Sequence, residues 1–431
     1  MSSKSEQSDR DEADALLTAR RSVRRWRALA MSCLLLAGCL IWLNWRQRTV
    51  LRAETAAVGT AGSSPEAIDL EGVLVGPWGK LEVLPITLER PDALLREIEE
   101  YYEPQPWRFG EASARQIFEL FAAADLLPSQ RAWLQDGAHW HRDGDEWVIL
   151  PPDYLILELK PEARGRIYRF LGRFRGNPLK EFPFSFPAKD VERWFTRAGL
   201  SSDTTRMVNS LLYPRGDLMC FSDLAVLRER MTPQERTRLV KTMSKVSALQ
   251  VRLRVPPGAE LAEIASYWNL GADGDLNQPL MDALTRLPEG GHLDISYLLP
   301  AFARERLYRF PDPETNSEAK QQDCFWTAMN FRAHSPESRF LVPDNCFREL
   351  EKNYDVVAED PKYGDVMVLV NERDVAVHAF VYVAGDIVFS KNGGGTTSPW
   401  SLMKLSDMMP WYTVDGPLKL HVFRQRTATG S

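Results

Sequence analysis

Asp323-Cys324-Phe325-Trp326-Thr327-Ala328-Met329-Asn330-Phe331, followed 54 residues after its cysteine by His378-Ala379-Phe380-Val381-Tyr382-Val383, decides how this chain reads. A polar, proline-containing stretch, residues 311–321, precedes the first segment. Cys324 follows a polar loop and precedes Trp326, Ala328, Met329 and Phe331, so a helix is expected to begin there. Downstream, Val366–Val370, Val377–Val383 and Ile387–Phe389 read as successive antiparallel strands. Asn371-Glu372-Arg373-Asp374 and Ala384-Gly385-Asp386 are the turns between them.

A cysteine at a helix start and a histidine at a strand start are the two parts of a thiolate–imidazole nucleophile. The attacking species is the thiolate, so a thiol pKa near 8.5 must fall, helped by unpaired backbone N–H groups and an imidazole that takes the proton. The backbone N–H of Cys324 would also be available to a developing oxyanion. A third polar group should hold His378 through its other ring nitrogen. Ser390, Lys391 and Asn392 on the next strand are the candidates, and register decides among them. Asn392 is favoured because an amide oxygen accepts an imidazole N–H, whereas the ammonium of Lys391 has no acceptor.

Asp323-Cys324 at a helix start, Gly364-Asp365-Val366 leading into a strand, and His378 with Tyr382 in the following strand resemble the NlpC-like superfamily of papain-fold cysteine peptidases and amidases. The resemblance covers residues 320–425, under a quarter of the chain. It implies a papain-like domain of helix plus antiparallel sheet, a Cys324–His378 site, no metal or cofactor, and an amide bond as substrate, in cell-wall peptides if the source is bacterial. The chain departs from the family where Phe325-Trp326 stands in place of a small Ser-Gly pair. By spacing alone Ser390, not Asn392, falls at the family's third catalytic position. An acyltransferase using the same thiol, and an inactive envelope protein using the fold to bind a partner, are the alternatives.

The N-terminus suggests where such a site would work. Residues 1–27 are a polar tail ending in Arg20, Arg21, Arg24, Arg25 and Arg27, and residues 28–45 are almost wholly apolar. About 18 residues at 1.5 Å each cover most of a ~30 Å hydrocarbon core, so one transmembrane helix is feasible. Trp42 and Trp45 suit its far interface, and the basic cluster favours an N-terminus inside. Leu36-Ala37-Gly38-Cys39 also resembles a lipobox, which would make Cys39 a lipid anchor, and a cleaved signal is a third reading. Each places residues 53–431 outside the cytoplasm. Residues 46–71 read as a linker rich in small polar side chains.

The 431 residues suit two or three folded units, and 44% hydrophobic content supplies ample core. A net charge of -6 argues against a nucleic-acid partner. Residues 72–310 read as a mixed α/β, mostly helical domain of unknown role, so the fold class is α+β, with a boundary at 311–321. Within it, Pro85 demotes Val83–Leu88 to an edge strand, Leu155-Ile156-Leu157 reads as extended, and Thr232-Pro233-Gln234-Glu235 opens a helix. Lys160, Arg164, Arg166, Arg169 and Arg173 read as a solvated face. His139-Trp140-His141 reads as a solvated turn rather than a metal site. Five cysteines make no disulfide framework, with Cys220–Cys346 the one pairing to consider. Gly393-Gly394-Gly395 reads as a flexible loop at the rim of the site.

Overall fold

The computed structural model describes residues 72–95, 102–269, 278–316 and 321–426, and these form an α+β fold with several antiparallel sheets. The 28–45 anchor and the lipobox at Cys39 lie outside the described residues. Among the described residues no helix is long and apolar enough to cross a membrane.

A four-stranded sheet runs in the order Gly72–Gly76, Gly79–Leu88, Val246–Val255, Gly291–Asp294. Its two long strands pair from Lys80↔Arg254 to Leu88↔Val246, so the chain between them, about residues 102–243, is an insertion into a hairpin. That insertion has its own core of Trp107, Phe121, Ile167, Tyr168, Leu211, Phe221 and Leu239. The region read as mostly helical therefore carries three sheets among its helices. Pro85 is tolerated for a reason visible in the register. The Gly72–Gly76 strand covers its neighbour only as far as Val83, so at Pro85 the strand is an edge and no ladder N–H is missing.

Leu155-Ile156-Leu157 is helical, within Asp153–Glu158, rather than extended. Pro152 precedes this helix and Asp153 lies in its first turn, so start signals outweigh a short apolar run. The Pro233–Met243 helix begins with a full capping box between Thr232 and Glu235, as its sequence indicates.

A six-stranded antiparallel sheet carries the candidate site. Its order is Tyr354–Val357, Leu418–Gln425, Val366–Asn371, Ala376–Ala384, Ile387–Lys391, Trp400–Lys404. Alternation splits the histidine strand between two cores. Ala379, Val381 and Val383 face the Cys324–Asn330 helix, while Phe380 and Tyr382 join Leu369, Val388 and Met408 on the other side.

The core does not divide at 311–321. Leu81, Val251, Trp268 and Phe302 share one cluster with Trp326, Val381 and Phe389. Tyr363 stacks on Tyr267 at 5.9 Å and gives its hydroxyl to the Leu298 carbonyl, and Tyr267 reaches the Val383 carbonyl at 2.6 Å. The Gly79–Leu88 and Val246–Val255 strands thus share a core with the C-terminal sheet, while the insertion keeps its own core, against which Trp411 and Val414 pack. Cys220 and Cys346 are free thiols in different cores, so that pairing is not made.

Candidate active site

Asp323 caps its helix, its side chain accepting from the Trp326 N–H at 2.8 Å, and the helix begins at Cys324 as the sequence indicates. Trp326 anchors it in the core against Phe302 at 5.2 Å, while Phe325 meets Phe347 at 5.3 Å. The bulky pair is therefore packing material under the helix. Gly364-Asp365 has a positional role. Gly364 turns the chain at φ 84°, and Gly364 N–H and Asp365 C=O bond to Tyr382 on the histidine strand at 2.9 and 3.0 Å. The buried Asp365 carboxylate holds Arg424 at 2.8 Å and accepts from Lys362 N–H at 2.8 Å. The motif ties the start of the Val366–Asn371 strand to the far end of the histidine strand.

The imidazole of His378 is wholly buried between Phe380 and Tyr412, whose ring stacks on it at 4.1 Å. Its Nε2 meets Ser390 Oγ at 3.0 Å. Ser390 donates its one proton to Asn392 Oδ1 at 2.9 Å, so it must accept from His378 Nε2–H. The amide is oriented independently: Tyr412 OH donates to the same Oδ1 at 3.3 Å, and Nδ2 faces Met403 Sδ at 3.2 Å. One tautomer results, with the proton on Nε2 and a bare lone pair on Nδ1. That Nδ1 is buried and has no hydrogen-bond partner.

Ser390, not Asn392, touches the imidazole, and Asn392 acts one bond further out. Spacing alone already put Ser390 at this position; Asn392 was favoured for its amide acceptor, but a serine hydroxyl also accepts once its own proton goes to Asn392. Lys391 points the other way, its ammonium donating to the carbonyls of Gly393 at 2.6 Å and Gly395 at 3.0 Å. Asn316 ties Gly394 O at 2.9 Å, and a side chain at Gly394 would run into Gln321. The glycine loop is pinned against the segment that leads to Cys324.

Cys324 is 8% exposed, and no hydrogen bond joins it to His378. The two reach the sheet from opposite faces and meet through the backbone. The N–H of Ala379, one peptide bond after His378, favours the Cys324 thiolate, as do the N–H groups of Phe325 and Cys324. Burial and the neighbouring Asp323 carboxylate outweigh them and push the thiol up to about 12. Burial also pulls His378 down to about 3 and Lys391 to about 8. In this closed arrangement the pair is thiol and neutral imidazole.

The histidine gives a stability signature. Its folded pKa of about 3 lies below the ordinary 6.5, so between these values the unfolded chain binds a proton that the native chain does not. Stability then falls as pH drops through that window, by about 3 kcal/mol at pH 4 from this group. His378→Gln is expected to remove that slope. Urea unfolding of both forms at pH 7 and pH 4 checks it, and equal losses would contradict it.

His139 stacks on Trp133 at 4.0 Å, and among the described residues no group of ligands suits a metal ion. Comparison of the chain with protein-family models, with curated proteins and with solved structures found no match.

Proposed function

We propose that the chain is a membrane-anchored thiol hydrolase that cuts an amide bond outside the cytoplasm. The observation that carries this reading is the contact of His378 Nε2 with Ser390, which leaves Nδ1 without a hydrogen-bond partner one residue before Ala379, whose N–H faces Cys324. The thiol proton passes to Nδ1 as sulfur attacks the carbonyl carbon, and the Cys324 N–H steadies the oxyanion. The imidazolium then protonates the departing amine. Water, deprotonated by His378, cleaves the thioester and restores the thiol. Ser390 and Asn392 are positioning residues for the imidazole. The reaction needs Nδ1 within hydrogen-bond reach of sulfur, and with the two side chains on opposite faces of the sheet this requires the His378 end of its strand to turn toward Cys324, a rearrangement that the activity assays test.

In this reading residues 320–425 are a papain-like, NlpC-like domain, and a cell-wall peptide is the substrate class that the resemblance implies. The 28–45 segment is the bilayer anchor, with lipidation at Cys39 as its alternative. A second reading rests on the burial of Cys324 and His378: an envelope protein that keeps the fold to bind a partner. An acyltransferase would use the same thiol with an amine in place of water.

Iodoacetamide labelling of the full chain separates these. Cys324 should react faster than the fully buried Cys220 and Cys346, and His378→Ala should slow it. Equal, slow labelling of all three would remove the hydrolase reading and leave the binding one.

A further inference from the structure

Lys391 stands on the thiol's side of the sheet. Along the Ile387–Lys391 strand, Ile387 and Phe389 pack into the core shared with the Cys324–Asn330 helix, whereas Val388 and Ser390 face the histidine side. Period-two alternation sends Lys391 the way of Phe389. Trp400, its ladder partner, lies on that face too: its Nε1–H donates at 2.9 Å to Thr327 Oγ1, three residues along the helix from Cys324. The Trp400 ring is 5.7 Å from the Lys391 ammonium.

That ammonium is wholly buried. Two of its three N–H bonds go to the Gly393 and Gly395 carbonyls. Among the described residues its contacts are these carbonyls and the Trp400 ring, with no carboxylate at salt-bridge distance. Asp323 and Cys324 act on it from further away, and a thiolate at Cys324 favours its charged form. Such coupling is reciprocal, so the ammonium favours the thiolate. The other titratable groups coupled to Cys324 among the described residues are Asp323 in its cap, Cys346 on the Pro343–Asn353 helix and Tyr412 on the Leu405–Tyr412 helix, and none of these is cationic. Arg306 also reaches the Trp400 ring, at 5.7 Å, and packs on Phe302 at 4.3 Å. A buried cation is stable when an anion pairs with it, and the anion that can form on this face is the thiolate.

Taking Cys324 as the nucleophile proposed above, we infer that Lys391 is a counter-ion of its thiolate, held on the thiol's side of the sheet by the carbonyls of the glycine loop. The resting pair is thiol and ammonium. One proton leaves the sulfur, for His378 or for water, and the thiolate that remains faces a positive charge. Lys391 acts on the thiol through that charge, and His378 keeps the proton transfers.

Iodoacetamide alkylation of the full chain between about pH 6 and pH 10, read on the Cys324 peptide by mass spectrometry, tests this without a substrate, because alkylation follows the thiolate. In the native chain the rate should rise and then level at about pH 8, where Lys391 begins to lose the proton that makes it a counter-ion. Lys391→Met and Lys391→Gln should each slow alkylation at that pH by about tenfold or more, the effect of one unit of thiol pKa, and abolish the levelling. Lys391→Arg keeps the charge and should stay within about threefold of the native rate. Gln retains a donor for the glycine carbonyls and Met does not, so equal slowing by both assigns the effect to charge. A lysine that only pins the loop predicts the opposite sign, because releasing Gly393 and Gly395 would uncover Cys324 and speed alkylation. Native or faster alkylation in Lys391→Gln, or slowing in Lys391→Arg equal to that in Lys391→Met, would overturn the counter-ion role and leave Cys324 as nucleophile. Where the variants do not fold, the native profile decides, and a rise that continues past about pH 8 without levelling overturns it. Cys324 labelling no faster than Cys220 or Cys346 across the range would remove nucleophile and counter-ion together.

Discussion

Asp223→Ala is expected to destabilise the insertion by about 3–5 kcal/mol, the cost of stranding buried charge. Among the described residues Asp223 is the carboxylate paired with both Arg164 and Lys180, and it also accepts from the buried Tyr168 hydroxyl. Its loss leaves two buried basic groups without their counter-charge and one phenol without its acceptor. The cost should fall when Arg164→Met and Lys180→Met are added, because a buried ionic cluster replaced by apolar side chains of similar size is often neutral. Exposed pairs give the contrast. Asp125 holds Lys160 at 2.6 Å, with both partners more than half exposed, so Asp125→Ala should leave stability nearly unchanged. Urea midpoints followed by tryptophan fluorescence measure all of these. A loss at Asp223 no larger than that at Asp125 would mean the cluster is not charged in the native state.

That cluster also marks where sequence reading ran out. Periodicity placed the Pro161–Leu171 helix but not the depth of each arginine, because a charged side chain is buried only when a partner remote in sequence receives it. The partner of Arg164 is 59 residues away, at Asp223. The same limit explains the misplaced boundary at 311–321. A polar loop is visible in composition, whereas the packing of Trp268 and Tyr267 on Tyr363 is a tertiary fact. Signals written locally survived. Thr232 and Glu235 cap a helix three residues apart, the polar loop before Cys324 ends where a helix begins, and Gly364-Asp365 marks the turn into its strand. Of the site, Cys324 and His378 were legible as element starts. Their third partner was half legible: spacing pointed to Ser390, while acceptor chemistry favoured Asn392, and only the folded contacts show the two linked in series.

Cys324→Ala should abolish amide hydrolysis, with a loss of at least about a thousandfold, because no other group in the site can form the thioester. His378→Ala should cost nearly as much, and the double variant little more, since nucleophile and base act as one unit. Ser390→Ala should be milder, roughly ten- to a hundredfold in kcat with KM little changed. It leaves the imidazole in place under Tyr412 but frees Nε2 of the acceptor that selects its tautomer. Asn392→Ala should produce a similar but smaller loss. Without Oδ1 the Ser390 proton can turn toward Nε2, favouring the tautomer that carries its proton on Nδ1 and cannot act as base. Asn392→Asp keeps an acceptor and should restore activity that Asn392→Ala loses, which a purely structural role in packing Met403 would not predict. Release of amine from soluble cell-wall peptides by each variant is the measurement. Full activity in Cys324→Ala would exclude the thiol mechanism. Equal activity in Asn392→Ala and Asn392→Asp would remove the tautomer relay while leaving Cys324 and His378 as the working pair.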